Sequence, residues 1–477
     1  MSGARNRCGH SRCRGGFPTR PRRMFAAERA PQGGDDVGGC AARAGLKPAP
    51  THLVPLLLLL LVVGCSDSAA APQETPVAPK NVILLIGDGT GPQQFGLLMD
   101  WADAAGKSPT AFERLANAGT TGALRTAPAD EPLTDSAAGA TALACGVSTV
   151  NGAISVDPSG KKLTTCLEDA RAKGRRTGLV TTTTVTHATP ACFAAHVGNR
   201  GEEGEIAQQY VHQGLGADVT FGGGRKFFPE SLLAEAGEKG WKLVQTREEL
   251  AALPAGTQKA LGLFSKSHVP YAIDRDQPGE AQAPSLADMT RKALEILSQD
   301  DKGFFLMVEG GRIDHACHGN DAPAALGELR EFDDTIALCE EFRAKHPDTL
   351  VIVTADHETG GLTVTTGMPP AVLTAGQFLA LAKVEKSVEA MGISGKPPGD
   401  FDASRFGLGH AAFYPPNYWA ADSVAIERSA QFCVTFSTST HSTTPVLIAA
   451  AGPGAAAFGG VRRNTIVGQR LREWMGR

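Results

Sequence analysis

Val308-Glu309-Gly310-Gly311-Arg312-Ile313-Asp314-His315-Ala316-Cys317-His318 is the stretch on which the reading of this 477-residue chain turns. It closes an apolar run from Gly303 to Val308, of the kind that fills a buried strand, and then has the make-up of a helix start. Asp314 and His318 are four residues apart, so on a helix they share one face about one turn apart. A carboxylate and an imidazole at that spacing can both reach one Zn²⁺. A second apolar run, Leu350 to Thr354, ends in Ala355-Asp356-His357, another such pair at the carboxyl end of a strand. Two pairs at two strand tips predict a hydrolytic site built on two metal ions.

Further strands are expected at Asn81–Ile86, Arg175–Thr183, Ala217–Phe221 and Pro445–Ala450, beside Gly303–Val308 and Leu350–Thr354. Amphipathic stretches lie between them at Phe112–Asn117, Thr164–Ala172, Leu286–Ser298 and Ala324–Lys345. Near-continuous apolar strands alternating with helices define an α/β chain with a large, mainly parallel central sheet covered on both faces. No internal repeat is visible. Residues 358–440 break the alternation with clusters such as GKPPGD and YPPNYW, and read as a cap-like insertion near the active edge. Tyr418 and Trp419 within it could line an entrance or pack the cap's own core.

The net charge of −4 conceals an asymmetry. Residues 1–50 hold ten Lys+Arg against three Asp+Glu, a balance of +7, and residues 51–64 hold neither, which leaves −11 from Cys65 onward. That acidic remainder has no Lys/Arg run of the sort that tracks a nucleic-acid backbone, so no nucleic-acid partner is expected. Leu53 to Gly64 is an apolar run too short to span a bilayer and of the length of a signal-peptide core. It ends Val62-Val63-Gly64-Cys65, which resembles the bacterial lipoprotein cleavage box. Residues 1–64 are therefore a leader region, of which 1–50 exceed what a signal needs and read as disorder or as an upstream start; 65–80 are a Pro/Ala tether, and 81–477 the catalytic domain. A plain secretory signal cleaved nearby is the alternative. Either way the chain is exported, to the periplasm or cell surface, with a lipid on Cys65 in the first case. The six cysteines from Cys145 onward show no CxxC spacing, and so no zinc-ribbon pattern.

Other residues carry chemistry by their setting. Asp88 follows the first strand in Gly87-Asp88-Gly89-Thr90-Gly91, at the crevice where open α/β sheets bind ligands. An Asx-turn explains it equally well when it is taken alone. Ser136, in Thr134-Asp135-Ser136-Ala137, falls at or near the start of a helix of small residues, as a cap or as a nucleophile beside an anionic substrate. No Gly-x-Ser-x-Gly elbow is present, so metal activation fits it better than a Ser-His-Asp relay. Thr189 before Pro190 reads as a helix N-cap with proline at the first helical position. Arg200 is the candidate clamp for phosphate oxygens. Glu309 can ligate a hard cation, and His441 offers a third ligand to Asp314 and His318.

Together, IGDGTG, TDSAAGATA, HATP, HVGNR, VEGGRIDHACH, TADHETGG and STSTHST resemble, in content and order, the motifs of the alkaline phosphatases, from about Asn81 to the C-terminus. The resemblance implies a phosphate monoesterase working through a phosphoserine, with two Zn²⁺ and one Mg²⁺. Asp314, His318 and His441 would hold one zinc; Asp88, Asp356 and His357 would hold the other. Asp88, Thr189 and Glu309 would hold magnesium. Ser136 matches the nucleophile and Arg200 the phosphate clamp, with Asp135 as its orienter. His187 and His315 sit on the substrate side at positions that vary in the family, and His187 stands where an aspartate would add a carboxylate to the third site. A homodimer is implied as well. Sister activities on the same fold remain the rivals: a phosphodiesterase, a phosphomutase or a sulfatase, although the Cys-x-Pro-x-Arg segment of sulfatases is absent. A surface lipoprotein that binds phosphate or metal without turnover is the rival of another class.

Overall fold

A computed structural model of the protein describes residues 78–275, 283–365, 373–374 and 431–476. The leader, Cys65, the tether up to residue 77 and the middle of the expected cap, with Tyr418 and Trp419, lie outside the described residues.

Strand β1 (Asn81–Ile86) is followed by β2 (Thr120–Arg125), β3 (Arg176–Thr184), β4 (Val219–Gly223), β5 (Trp241–Val244) and β6 (Lys259–Leu263). Next come β7 (Phe304–Glu309) and β8 (Thr349–Thr354). The short strands β9 (Glu358–Thr359), β10 (Leu362–Thr365), β11 (Leu373–Thr374), β12 (Gln431–Phe436) and β13 (His441–Ser442) precede β14 (Val446–Ala451) and β15 (Gly460–Arg463). Ten of these form one sheet in the order β15-β2-β14-β8-β1-β7-β3-β4-β6-β5. β1 pairs in parallel with both β7 and β8, whereas β14 runs antiparallel to β8 and β2. The expected mainly parallel sheet is thus present, with one reversed strand.

Alternation along β1 shows why it lies in the middle. Ile83 and Leu85 point into one core with Phe95, Leu286 and Leu326; Val82, Leu84 and Ile86 point into the other with Ala137, Ala188 and Leu471. All five apolar side chains of β1 have no exposure, and each stabilises the fold by about 1.5–3 kcal/mol relative to an exposed position. Helices Pro92–Ala104, Leu286–Leu297 and Ala322–Lys345 cover the first face; Ser136–Cys145, Ala188–Ala194 and Thr465–Met475 cover the second.

Register brings the strand ends to one level. Ile86 lies opposite Glu309 on one side and Thr354 on the other, and Glu309 is also opposite Thr181. The turns after β1, β7 and β8 therefore open along the same edge, where a parallel sheet binds its ligands. The reversal of β14 adds a fourth contributor. An antiparallel strand begins where its neighbours end, so the residues just before β14, including His441, arrive at that edge too.

The two ends of the expected 358–440 insertion are part of this arrangement. β9 pairs with β13, placing Thr359 opposite His441, and β10 pairs with β12. Cys145, Cys166, Cys192, Cys317 and Cys339 are buried, unpaired thiols. Among the described residues no helix is long and apolar enough to cross a membrane.

Candidate active site

Ser136 is the first residue of its helix, and Asp135 is the N-cap: its Oδ1 accepts from Ala138 N at 3.0 Å. Asp135 Oδ2 accepts from Gly152 N at 3.0 Å and from Arg200 Nη1 at 3.1 Å. One carboxylate thus starts the helix that presents the serine and holds the arginine beside it. The expected pairing of Asp135 with Arg200 is present, and Ser136 occupies the first helical position and not the cap. Thr189 is not a cap either. The helix Ala188–Ala194 starts two residues earlier than Pro190 implied, with His187 as N-cap in extended backbone.

Asp88 lies in the turn after β1, where Gly89 adopts φ +72°. That left-handed conformation suits glycine, and a Cβ there would meet Asp314 Cα at 2.9 Å and Thr359 Oγ1 at 2.8 Å. The turn can therefore lie directly against the helix Arg312–His318 that carries Asp314.

Two carboxylate-imidazole groups result. In the first, Asp314 Oδ1 lies 3.4 Å from His318 Nε2 and 3.7 Å from His441 Nε2. In the second, His357 Nε2 is approached by Asp88 Oδ1 at 3.5 Å, Asp356 Oδ2 at 3.4 Å and Ser136 Oγ at 3.1 Å. The rings of His357 and His441 stack at 3.6 Å, so the groups are contiguous. A third cluster joins Asp88, Glu309 and His187. Thr189 Oγ1 approaches Asp88 Oδ2 at 3.5 Å, and Glu309 Oε2 accepts from the Thr181 and Thr183 hydroxyls.

The hydrogen bonds fix where the lone pairs point. His318 Nδ1 lies 2.7 Å from Ser439 O, and His441 Nδ1 lies 2.8 Å from Thr134 O; a carbonyl only accepts, so both Nδ1 atoms carry the hydrogen. Thr359 Oγ1 is 2.6 Å from Asp314 Oδ1 and 3.2 Å from His357 Nδ1. An ionised carboxylate takes the threonine hydrogen, so His357 Nδ1–H donates to the hydroxyl oxygen. In neutral rings all three Nε2 atoms would then face neighbouring acceptors with a lone pair. Asp88 Oδ1, Asp356 Oδ2 and Glu309 Oε1 are buried with no hydrogen-bond partner among the described residues. Converging lone pairs and orphaned carboxylate oxygens are unfavourable unless cations lie between them, and imidazole with carboxylate is a donor set for Zn²⁺. The oxygen-rich third cluster suits a harder ion.

Burial reinforces this. It pushes the Asp88 carboxyl well up, helped by Asp356, Asp314 and Glu309; it pushes Asp356 up to about 6 and Glu309 up to about 7. Burial and the neighbouring His441 push His357 down. Around Arg200 the histidines stay neutral. Burial and Arg200 lower His187, while burial and Arg312 lower His315. Arg200 Nη2 lies 3.3 Å from His187 Nε2, and Arg312 Nη1 lies 3.0 Å from His315 Nδ1.

Every residue expected at the site is brought to this edge. Sequence reading missed Thr359 and Glu358, which stand inside TADHETGG, and Gln94, which carries no motif signal. It also missed His268, whose ring lies 4.6 Å from that of His315 and 5.7 Å from that of His187. Only the fold reveals that neighbour.

Known proteins resemble this chain in sequence and fold. The family model for alkaline phosphatase matches residues 79–476. Alkaline phosphatase 4 of Bacillus subtilis is 40% identical over 314 residues, covering 63% of this chain and 66% of its own length. The chain thus spans just under two thirds of that relative. The crystal structure of Thermus thermophilus alkaline phosphatase is 31% identical with a TM-score of 0.70, covering 86% of this chain and 95% of that one. A His-to-Glu mutant of the alkaline phosphatase from the Antarctic bacterium TAB5, solved with Mg bound in its M3 site, is 28% identical with a TM-score of 0.63, covering 83% and 98%. The class these define is a phosphatase. Within it, the chain belongs to the alkaline phosphatase family.

Proposed function

We propose that the enzyme hydrolyses phosphate monoesters to inorganic phosphate through a phosphoserine on Ser136, with two zinc ions and one magnesium ion. Asp314, His318 and His441 would hold one zinc, Asp88, Asp356 and His357 the other, and Asp88, Thr189 and Glu309 the magnesium. The Mg bound in the His-to-Glu variant of the TAB5 alkaline phosphatase supports magnesium as one of the metals. When bound, such cations lower the pKa of a serine hydroxyl or water and offset charge on the departing oxygen.

The chain's own groups do the rest. Arg200, held by Asp135, donates to two non-bridging phosphate oxygens, and its fixed fork suits that planar pairing. Ser136 Oγ attacks phosphorus in line with the ester oxygen, which leaves as the alcohol's oxygen. Its place at a helix N-terminus favours the anionic form. Water then attacks the phosphoserine from the side that the alcohol left, in line with Ser136 Oγ, freeing phosphate and restoring the hydroxyl. His187 and His315 flank Arg200 as neutral hydrogen-bonding groups on the substrate side.

The observation that carries this reading is the crowding of Asp88, Asp356 and Ser136 on one nitrogen of His357. A Ser-His-Asp relay would engage opposite nitrogens of the ring. The leader ending at Cys65 supports an exported, lipid-anchored enzyme. The test combines 4-nitrophenyl phosphate turnover with metal analysis and an acid-quenched digest. Expected are chelator-reversible loss of activity and a phosphate on the Ser136 peptide. Full turnover in excess chelator would sink the metal assignment, and faster cleavage of bis-nitrophenyl phosphate would reassign the enzyme as a diesterase.

A further inference from the structure

We infer that Glu358 is a positioning residue that fixes His441, and so sets the affinity of the Asp314/His318/His441 group for zinc; this rests on the reading that those residues hold zinc. Glu358 is 3% exposed and sits in β9 directly after His357. Its Oε1 accepts from Gln94 Nε2 at 2.9 Å and from Leu362 N at 3.3 Å, and its Oε2 accepts from the Ser442 hydroxyl. Ser442 is the neighbour of His441, and β13 consists of those two residues alone. Two paired residues make a weak ladder, so the carboxylate supplies a fixed point that the strand's own length does not.

The other end of the strut is equally well seated. Gln94 Nε2 also donates to Thr359 O at 2.7 Å, and Gln94 Oε1 accepts from Gly91 N at 3.1 Å. Gly91 closes the turn that carries Asp88, and a Cβ there would collide with Glu358 Cγ. The buried carboxylate therefore ties the two-residue strand that carries His441 to the helix start after β1, although it points at neither His441 nor Asp314. Glu358 touches no reacting atom.

Removing this side chain leaves Gln94 and Ser442 supplied and takes a side-chain acceptor from Leu362 N. Gln94 Nε2 keeps Thr359 O, and Ser442 Oγ keeps Thr444 Oγ1 at 2.9 Å. What is lost is the strut.

The experiment compares wild type, Glu358→Ala, Glu358→Gln and Ser442→Ala by zinc competition against a chelator, with melting curves and the KM-against-kcat split on 4-nitrophenyl phosphate. In Glu358→Ala, one of the two zinc affinities should fall roughly 10–100-fold while the other holds, the size found when an outer partner of a metal ligand is removed. kcat should fall more than KM rises. Glu358→Gln should restore the affinity, because its amide still accepts from Gln94 and donates to Ser442. Ser442→Ala, which severs one arm, should weaken the same zinc and serves if Glu358→Ala does not fold. Wild-type affinity for both zincs in Glu358→Ala or in Ser442→Ala, or equal loss of both, overturns the inference. Two zincs in wild type with no change in the variants defeats it alone; a wild type without zinc defeats the zinc reading as well.

Discussion

His318 and His441 face each other through their Nε2 atoms at 3.1 Å, each with its Nδ1 hydrogen committed to a backbone carbonyl. With both rings neutral these nitrogens would present two lone pairs to each other, and Asp314 beside them adds a carboxylate. The arrangement is stable once a cation shares all three. Substituting either histidine by alanine should therefore remove one of two zinc equivalents and lower kcat/KM by about 10²–10³-fold, the scale of losing a preorganised electrostatic group. Metal analysis after dialysis checks it; retention of both equivalents contradicts the assignment.

Ser136→Ala should keep both zincs and reduce kcat by about 10³-fold or more, since a nucleophile acts only together with the groups that activate it. Measured turnover near wild type would move the covalent step elsewhere.

Arg200→Lys replaces a planar fork by a point charge, and Arg200→Ala removes the donor altogether. A charged hydrogen bond contributes about 1.5–3 kcal/mol, so the alanine variant should lose roughly 10–100-fold in kcat/KM. Asp135→Ala should move in the same direction and also lower the melting temperature, because it deletes a helix cap of about 0.5–2 kcal/mol. Steady-state kinetics with calorimetry separates the two effects.

Thr359→Val keeps the shape but strands Asp314 Oδ1 and His357 Nδ1, which the hydroxyl joins. Loss of about 1–3 kcal/mol of stability is expected in the chelated protein. Chemical denaturation measures it directly.

Metal-free protein should lose stability as the pH rises. Glu309 and Asp356 ionise near 7 and 6 in the fold against 4.5 and 3.8 ordinarily, so the native state binds more protons than the unfolded chain in that window. Stability is full below about pH 4 and falls as the pH passes through 6 and 7. Zinc and magnesium need ionised carboxylates, so loading should reverse the slope and release protons. Melting curves from pH 4 to 8, with and without metal, test the sign.

Much of this was legible in sequence because the ligands sit at the ends of long apolar strands. β1, β7 and β8 are runs of fully buried residues bounded by glycine or by charge, and the positions of Asp88, Glu309 and Asp356 follow from where those runs stop. β2, β5, β6 and β15 were not read. They lie at or towards the sheet's edges and are four to six residues long; β2, β5 and β15 mix exposed polar residues such as Lys242, Arg462 and Arg463 into their pattern, whereas the buried β6 is interrupted by Gly262. The helix start at Ala188 was misplaced because Pro190 tolerates the first turn generally and not one position only. Glu358, Thr359 and Gln94 act through partners up to 265 residues away, which no local pattern reports.

Strand β1 owes its neighbours to residues that are synthesised more than two hundred positions later, and the residue opposite Thr359 comes later still. A ribosome therefore releases a buried strand that has no strand to pair with until residues beyond 300 are made. Premature termination anywhere before His441 should yield fragments that are sticky and inert, with no partial activity to rescue.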